Sequence, residues 1–156
     1  MATVYKISDD FYENSFTLLA LHSSLEDFAL AYAINKALKS QFIRLKNDLD
    51  ISANMTFPIF EWKDKVNDRY CTLIGNKGYT TAENTAEHIG LFALEPSYVK
   101  HYLIPEHREV DYFIKIEQDH EDLDTNMLKS ILDIPRVLTA YPVVIDNLKS
   151  KNNLIF

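Results

Sequence analysis

The densest run of side chains capable of chemistry is LIPEHREVDYFIKI, residues 103–116. Glu106 and Asp111 stand out as a carboxylate pair for general acid–base work or for a metal. Such chemistry needs both groups aimed at one point, often with a raised pKa. The competing role is structural. Pro105 sets φ and removes a donor, which suits a fixed turn. In that turn Glu106 would accept backbone N–H bonds and Asp111 would pair with a cation on the neighbouring strand. Turn chemistry favours this second reading.

Other titratable groups are scattered. The histidines are His22, His88, His101, His107 and His120, and none forms HxxxH or HExxH. Zinc needs three or four convergent ligands, and only an approach of His101 to His107 across a strand connection suggests one. No metal and no cofactor are expected. The acidic run Glu117–Asp124 lacks the glycine and distant glutamate of an EF-hand loop. It reads as a solvated strand-to-helix connection, its acids favouring the positive end of the following helix. Cys71, the single cysteine, is expected to be a small buried hydrophobe. GxGxxG, GxxxxGK[ST] and GxSxG are all absent.

Nine tyrosines and nine phenylalanines could in principle stack bases where basic residues interleave. Phe42–Lys46 and Tyr112–Lys115 are the best such stretches, although neither matches the RNP1 pattern. Most of these rings are expected in the core. The tail, residues 146–156, ends on the apolar triplet Leu154, Ile155 and Phe156. That triplet would either dock to a partner or close the domain, since apolar groups are costly to leave in water.

The elements that must position these residues follow from periodicity. Phe16–Leu21 is a strand. Ser24 to Asp27 resembles a capping box, opening a helix that runs to Leu38. One face of this helix carries Leu25, Phe28, Ala29 and Tyr32, another Leu30, Ile34 and Leu38, so it is expected to be covered on two sides. Asn35 within it needs partners if buried. Phe42–Leu45 is a strand, and 57–62 and 69–74 form a hairpin about the turn Lys63–Asp68. Residues 76–90 read as a loop, and 91–93 and 99–104 as strands flanking the turn Glu95–Ser97. Val110–Glu117 alternates, with Val110, Tyr112, Ile114 and Ile116 on one face. A helix follows over about 125–132. Residues 137–145 form a strand, with Pro142 marking an edge or bulge.

The order predicts a single α+β domain over residues 1–156. It has a mainly antiparallel sheet and two principal helices. Segments 16–46 and 110–145 each read strand–helix–strand, as in the two halves of a ferredoxin-like arrangement. With 156 residues and 47% apolar content the chain can bury a real core. No apolar run reaches the length of a membrane span. The N-terminus has no basic stretch leading into an apolar one, so no signal peptide is expected. With one cysteine, this points to a reduced, cytoplasmic setting. The net charge of −7 disfavours nonspecific attraction to nucleic acid or anionic membrane.

Ile104-Pro105-Glu106, three residues, then Val110-Asp111-Tyr112 reproduces the pattern for which the IPExxxVDY family is named, and the chain resembles a full-length member. The resemblance implies a small cytoplasmic bacterial protein and brings no established activity. Genes of such proteins lying beside those for ribonuclease III and pyruvate kinase imply an RNA or metabolic connection. The pattern leaves His107, Arg108 and Glu109 open, so any essential polar role falls on Glu106 and Asp111. Three readings stand. A non-enzymatic adaptor that binds a protein partner is preferred, on the absence of cofactor, nucleophile and metal signatures. The others are an RNA- or ribosome-associated factor, and a small-molecule-binding or catalytic domain using Glu106 and Asp111. Oligomeric state is not legible.

Overall fold

A computed structural model describes residues 16–52, 55–81, 98–119 and 123–156. Ten strands and two α-helices follow in chain order. They are β1 (Phe16–Ser23), α1 (Asp27–Leu38), β2 (Ile43–Arg44), β3 (Leu49–Ser52), β4 (Met55–Phe57), β5 (Ile59–Asp64), β6 (Arg69–Gly75), β7 (Lys77–Thr81), β8 (Tyr98–Tyr102), β9 (Tyr112–Gln118), α2 (Thr125–Leu132) and β10 (Val137–Val143). The main sheet has the order β10-β1-β9-β6-β5-β2, and every neighbouring pair in it is antiparallel. The fold is α+β with a mainly antiparallel sheet and two helices.

The run β10-β1-β9-β6 has the strand order of the ferredoxin-like arrangement, with α1 after β1 and α2 after β9. The first half closes differently from the expectation of strand, helix, strand over 16–46. The strand parallel to β1, one place beyond β9, is β6. Residues 43–44 instead form a two-residue edge strand on the far side of β5. Periodicity finds strands but does not rank their partners. β10 is the other edge, where Pro142 costs the sheet no hydrogen bond on its open side.

Both faces of the sheet are covered. Against one, Leu30, Ala31 and Ile34 of α1 and Met127 and Ile131 of α2 pack on Leu19, Leu21, Leu73, Ile114 and Ile116. Against the other, Leu18, Ala20, Ile74 and Phe113 meet Phe57, Leu103, Ile104, Val110, Leu148 and Leu154. That second cover consists of two small antiparallel pairs, β3-β4 and β7-β8, and the C-terminal segment. It explains why Val110 lies in the opposite core from Ile114 and Ile116: it precedes β9, outside the strand's alternation.

Several local expectations need correction. Helix α1 starts at Asp27, and its N-cap Glu26 makes no side-chain cap bond, so the Ser24 capping box does not form. The Ser23 hydroxyl, one residue earlier, accepts from the Leu25 N–H instead (3.2 Å). The helix is not covered on two sides, because Phe28 and Tyr32 are 63% and 71% exposed. Asn35 is satisfied: its Oδ1 accepts from the Phe42 N–H and the Ser40 hydroxyl (both 2.8 Å), and its Nδ2 donates to Phe42 O (3.1 Å). Residues 77–81, expected in a loop, are β7. The expected strand 91–93 and turn 95–97 lie outside the described residues, as does the rest of the expected loop.

The β5–β6 hairpin is held by Asp64. Its carboxylate accepts from the Val66 and Asn67 N–H groups, from Asn67 Nδ2 and from Arg69 Nε. Arg69 also reaches Asp124 (3.1 Å), the N-cap of α2, whose carboxylate accepts from Asn126 and Met127. Burial pushes both carboxyls up. The bonds from Asn67 and Arg69 to Asp64, and from Met127 and Arg69 to Asp124, outweigh it and hold both below the usual carboxylate range.

Groups with a depressed folded pKa stabilise the fold above their unfolded value, about 3.9, and lose that contribution as pH falls through the folded value. Urea unfolding midpoints should therefore drop on acidification below about pH 5, and Asp124→Asn should flatten that drop. In the C-terminal segment Leu154 is fully buried while Ile155 is 60% exposed. Leu154→Ala should cost about 2–5 kcal/mol and Ile155→Ala less than about 1 kcal/mol by chemical denaturation.

Candidate functional site

The segment from Ile104 to Tyr112 crosses from the second cover layer into the main sheet. Ile104 and Val110 are fully buried and anchor both ends in the second core. Between them the chain makes a single 3-10 turn, Pro105–His107, with Pro105 at its first position, where a missing N–H costs nothing. The His107 N–H donates to Ile104 O (3.0 Å), and the Val110 N–H to His107 O (3.1 Å).

The two fixed carboxylates serve different segments. Glu106 is exposed and accepts from the Ser150 N–H (2.8 Å) and hydroxyl (2.7 Å), tying the C-terminal segment to the turn. The Ser150 hydroxyl holds the Glu106 carboxyl below its usual value. That is opposite to what a proton donor at neutral pH needs. Asp111 accepts from the Ser23 N–H (3.0 Å) at the end of β1 and pairs with Lys77 Nζ at the start of β7. The two carboxylates do not converge on one point. A cleft of about 450 Å³ beside the start of α1 is walled by Ser23, Asp27, Lys77, Tyr79, Asp111 and Tyr112. Glu106 is not part of it. Tyr112 donates to Leu25 O (2.7 Å). Burial, with the carboxylates of Asp27, Asp111 and Glu26, pushes its phenol up to about 12, which keeps the donor proton in place.

The residue that joins these parts is Asn76, between β6 and β7, which has no exposed surface. Its Nδ2 donates to His107 O (2.8 Å) and Val110 O (2.9 Å), and its Oδ1 accepts from the Ile104 N–H (2.9 Å). Its backbone donates to Asp111 O (3.0 Å) and accepts from Leu103 N–H (2.9 Å). The sequence reading missed it. Asn76-Lys77-Gly78 has the composition of a turn, and a polar residue directly after an apolar strand was the available signal.

The remaining candidates disperse. His101 bonds Thr80 Oγ1 (2.8 Å) and His107 lies against Glu109 (3.3 Å), so the two histidines have separate partners. His88 and His120 lie outside the described residues, as do residues 120–122 of the acidic run. Among the described residues no group of three or more His, Cys, Asp or Glu side chains could hold a metal. Cys71 is buried, and burial raises its thiol to about 12, leaving no useful thiolate.

In the two basic–aromatic stretches Phe42, Phe113 and Lys115 are buried, while Ile43 and Lys46 are exposed. Lys115 Nζ sits 4.9 Å from the Phe16 ring centroid and 4.3 Å from that of Phe156, with Glu117 at 3.3 Å. Phe156, like Ile155, is still substantially exposed. Leu154, in the triplet expected either to dock to a partner or to close the domain, is a core residue, because the 3-10 turn Lys151–Leu154 folds it under the domain.

Asn76→Ala should destabilise the protein by about 2 kcal/mol or more in chemical denaturation, because it removes the side-chain partner of the buried Ile104 N–H and Val110 O, while His107 O keeps the Val110 N–H. Glu106→Gln, at an exposed position, should change stability by less than about 1 kcal/mol.

Compared with protein-family models, with curated proteins and with solved structures, the chain matches none.

Proposed function

We propose that this protein is a non-enzymatic adaptor that binds a protein partner through the outer face of its helical layer. The observation that carries the reading is a pair of large rings left in solvent on α1. Phe28 is 63% and Tyr32 71% exposed, on a helix whose opposite side is fully packed. Tyr32 also walls a groove of about 620 Å³ between α1 and α2, lined by Ala29, Ala33, Ala37, Ile134 and Pro135. Three alanines leave the helix backbone open to close approach. A rigid aromatic at the rim of a small-residue groove is the usual makeup of an interface anchor. An apolar, helical segment of a partner fits such a groove.

Two observations weigh for binding over catalysis. Glu106 and Asp111 are engaged with separate segments of the chain, and the one cysteine is buried. Among the described residues no helix is long and apolar enough to cross a membrane. The cytoplasmic setting is part of the proposal and rests on the single cysteine. Membership of the IPExxxVDY family is likewise proposed, and rests on Ile104, Pro105, Glu106, Val110, Asp111 and Tyr112.

The test is tagged co-purification from native cells with wild type, Tyr32→Glu and Ala33→Glu, each shown to be folded by its melting curve. The expected outcome is a protein that accompanies wild type and is lost from both variants. Equal recovery by all three, or no companion to wild type, overturns the reading.

A further inference from the structure

Among the described residues the most regular unassigned surface is the β7-β8 pair. Tyr98, Lys100 and Tyr102 alternate onto one face of β8. Across the pair Lys77 stands opposite Tyr102, and Tyr79 opposite Lys100. Directly opposed residues share a face, so this face carries three tyrosines and two lysines in checkerboard order. The other face turns inward at Gly78, where an added Cβ would lie 2.8 Å from Thr56 O and 3.1 Å from the Phe57 ring. The tyrosine face therefore looks outward. Tyr79 and Tyr98 are 63% and 64% exposed, and Lys100 is exposed. The corner after β8 adds a further cation, since the Arg108 guanidinium lies 5.7 Å from the Tyr102 ring centroid, with Lys100 Nζ at 5.4 Å.

We propose that this face is a binding site for a short single-stranded nucleic acid, with Tyr79 and Tyr98 as base platforms and Lys100 and Arg108, which both lie over the half-buried Tyr102 ring, as phosphate contacts. This goes beyond the protein-binding reading and does not depend on it. Exposed rings on a sheet, interleaved with cations, stack bases without sequence preference while the cations track the backbone. Tyr79 stands diagonal to Tyr98 at about 7–8 Å, the diagonal spacing of paired strands, room for about two bases.

Charge also limits the site. Lys77 is paired with Asp111, and the adjoining cleft presents Glu26 and Asp27, so a phosphate chain is repelled on the β7 side, toward that cleft. With the net charge of −7, this favours a short contact along β8, from Tyr98 past Lys100 to Arg108, over a long polyanion track. The same chemistry accommodates RNA or DNA, and the experiment separates them.

The test is fluorescence anisotropy of the full chain with labelled ten-nucleotide oligouridylate and oligothymidylate at low salt. Binding of either is expected, with log K falling against log salt at a slope of about −1 to −2, as for two free cations on a single strand. Tyr98→Ala should weaken binding about 5- to 100-fold, and Lys100→Glu should weaken it and reduce the salt slope. Both positions are exposed, and unchanged melting curves confirm the fold. Tyr32→Glu should leave oligonucleotide binding unchanged, which separates this site from the helical groove. Preference for uridylate assigns RNA, and for thymidylate DNA. No binding of either at low salt, or binding that Tyr98→Ala and Lys100→Glu leave unchanged, overturns the proposal. So does a protein partner that Tyr98→Ala releases when wild type binds neither oligonucleotide.

Discussion

One buried side-chain amide organises the most individual part of this molecule. Asn76 has to place a polar group where water cannot reach, and a buried amide costs free energy unless its donors and acceptor are met. Here they are met by the Ile104 N–H and the His107 and Val110 carbonyls; His107 O also accepts from the Val110 N–H. The cost of burying the amide and the cost of making that turn cancel. The turn in turn decides where Glu106, Asp111 and Arg108 emerge. It also fixes the angle at which β8 leaves the second layer and β9 enters the main sheet.

The two sides of the sheet then have different characters. The helical side is a conventional α/β layer, closed by long apolar side chains from α1 and α2. The other side is assembled from short pieces, two two-stranded pairs and a C-terminal turn, none of which could be stable alone. They are secured by specific polar ties: Ser150 to Glu106, Asn153 to Leu103 O, and Lys77 to Asp111. The motif carboxylates are two of those ties. Their low exposure to alternative partners follows from this duty, and it moves the search for function from the motif to the surfaces that the motif holds in place.

Those surfaces are opposite in kind. The α1 face offers rings beside a small-residue groove, a surface suited to apolar contact. The β7-β8 face offers rings between cations, a surface suited to stacking and charge. On a chain of net charge −7, cations set beside exposed tyrosines are a local departure from a surface that on balance repels polyanions.

The amino-acid sequence by itself determined the class of fold, because the period of apolar residues distinguishes strand from helix wherever one face is buried. β5 and β6 about their polar turn, α2, and Pro142 on an edge strand were all legible in this way. The tertiary structure alone decided what depends on partners distant in sequence. Strand 43–44 could not be seen to lie at the sheet edge, nor β6 to run parallel to β1. The composition of Asn76-Lys77-Gly78 concealed a strand, because Gly78 is required there by the approach of Thr56 and Phe57 and not by a turn. Leu154 reads as a loose end until Leu103 and the second core are placed beneath it. Basic and aromatic letters adjacent in sequence, as in Tyr112–Lys115, alternate to opposite faces of a strand covered on both sides. Those that share an open face, Tyr79 and Lys100, come together only through strand pairing, which no local pattern encodes.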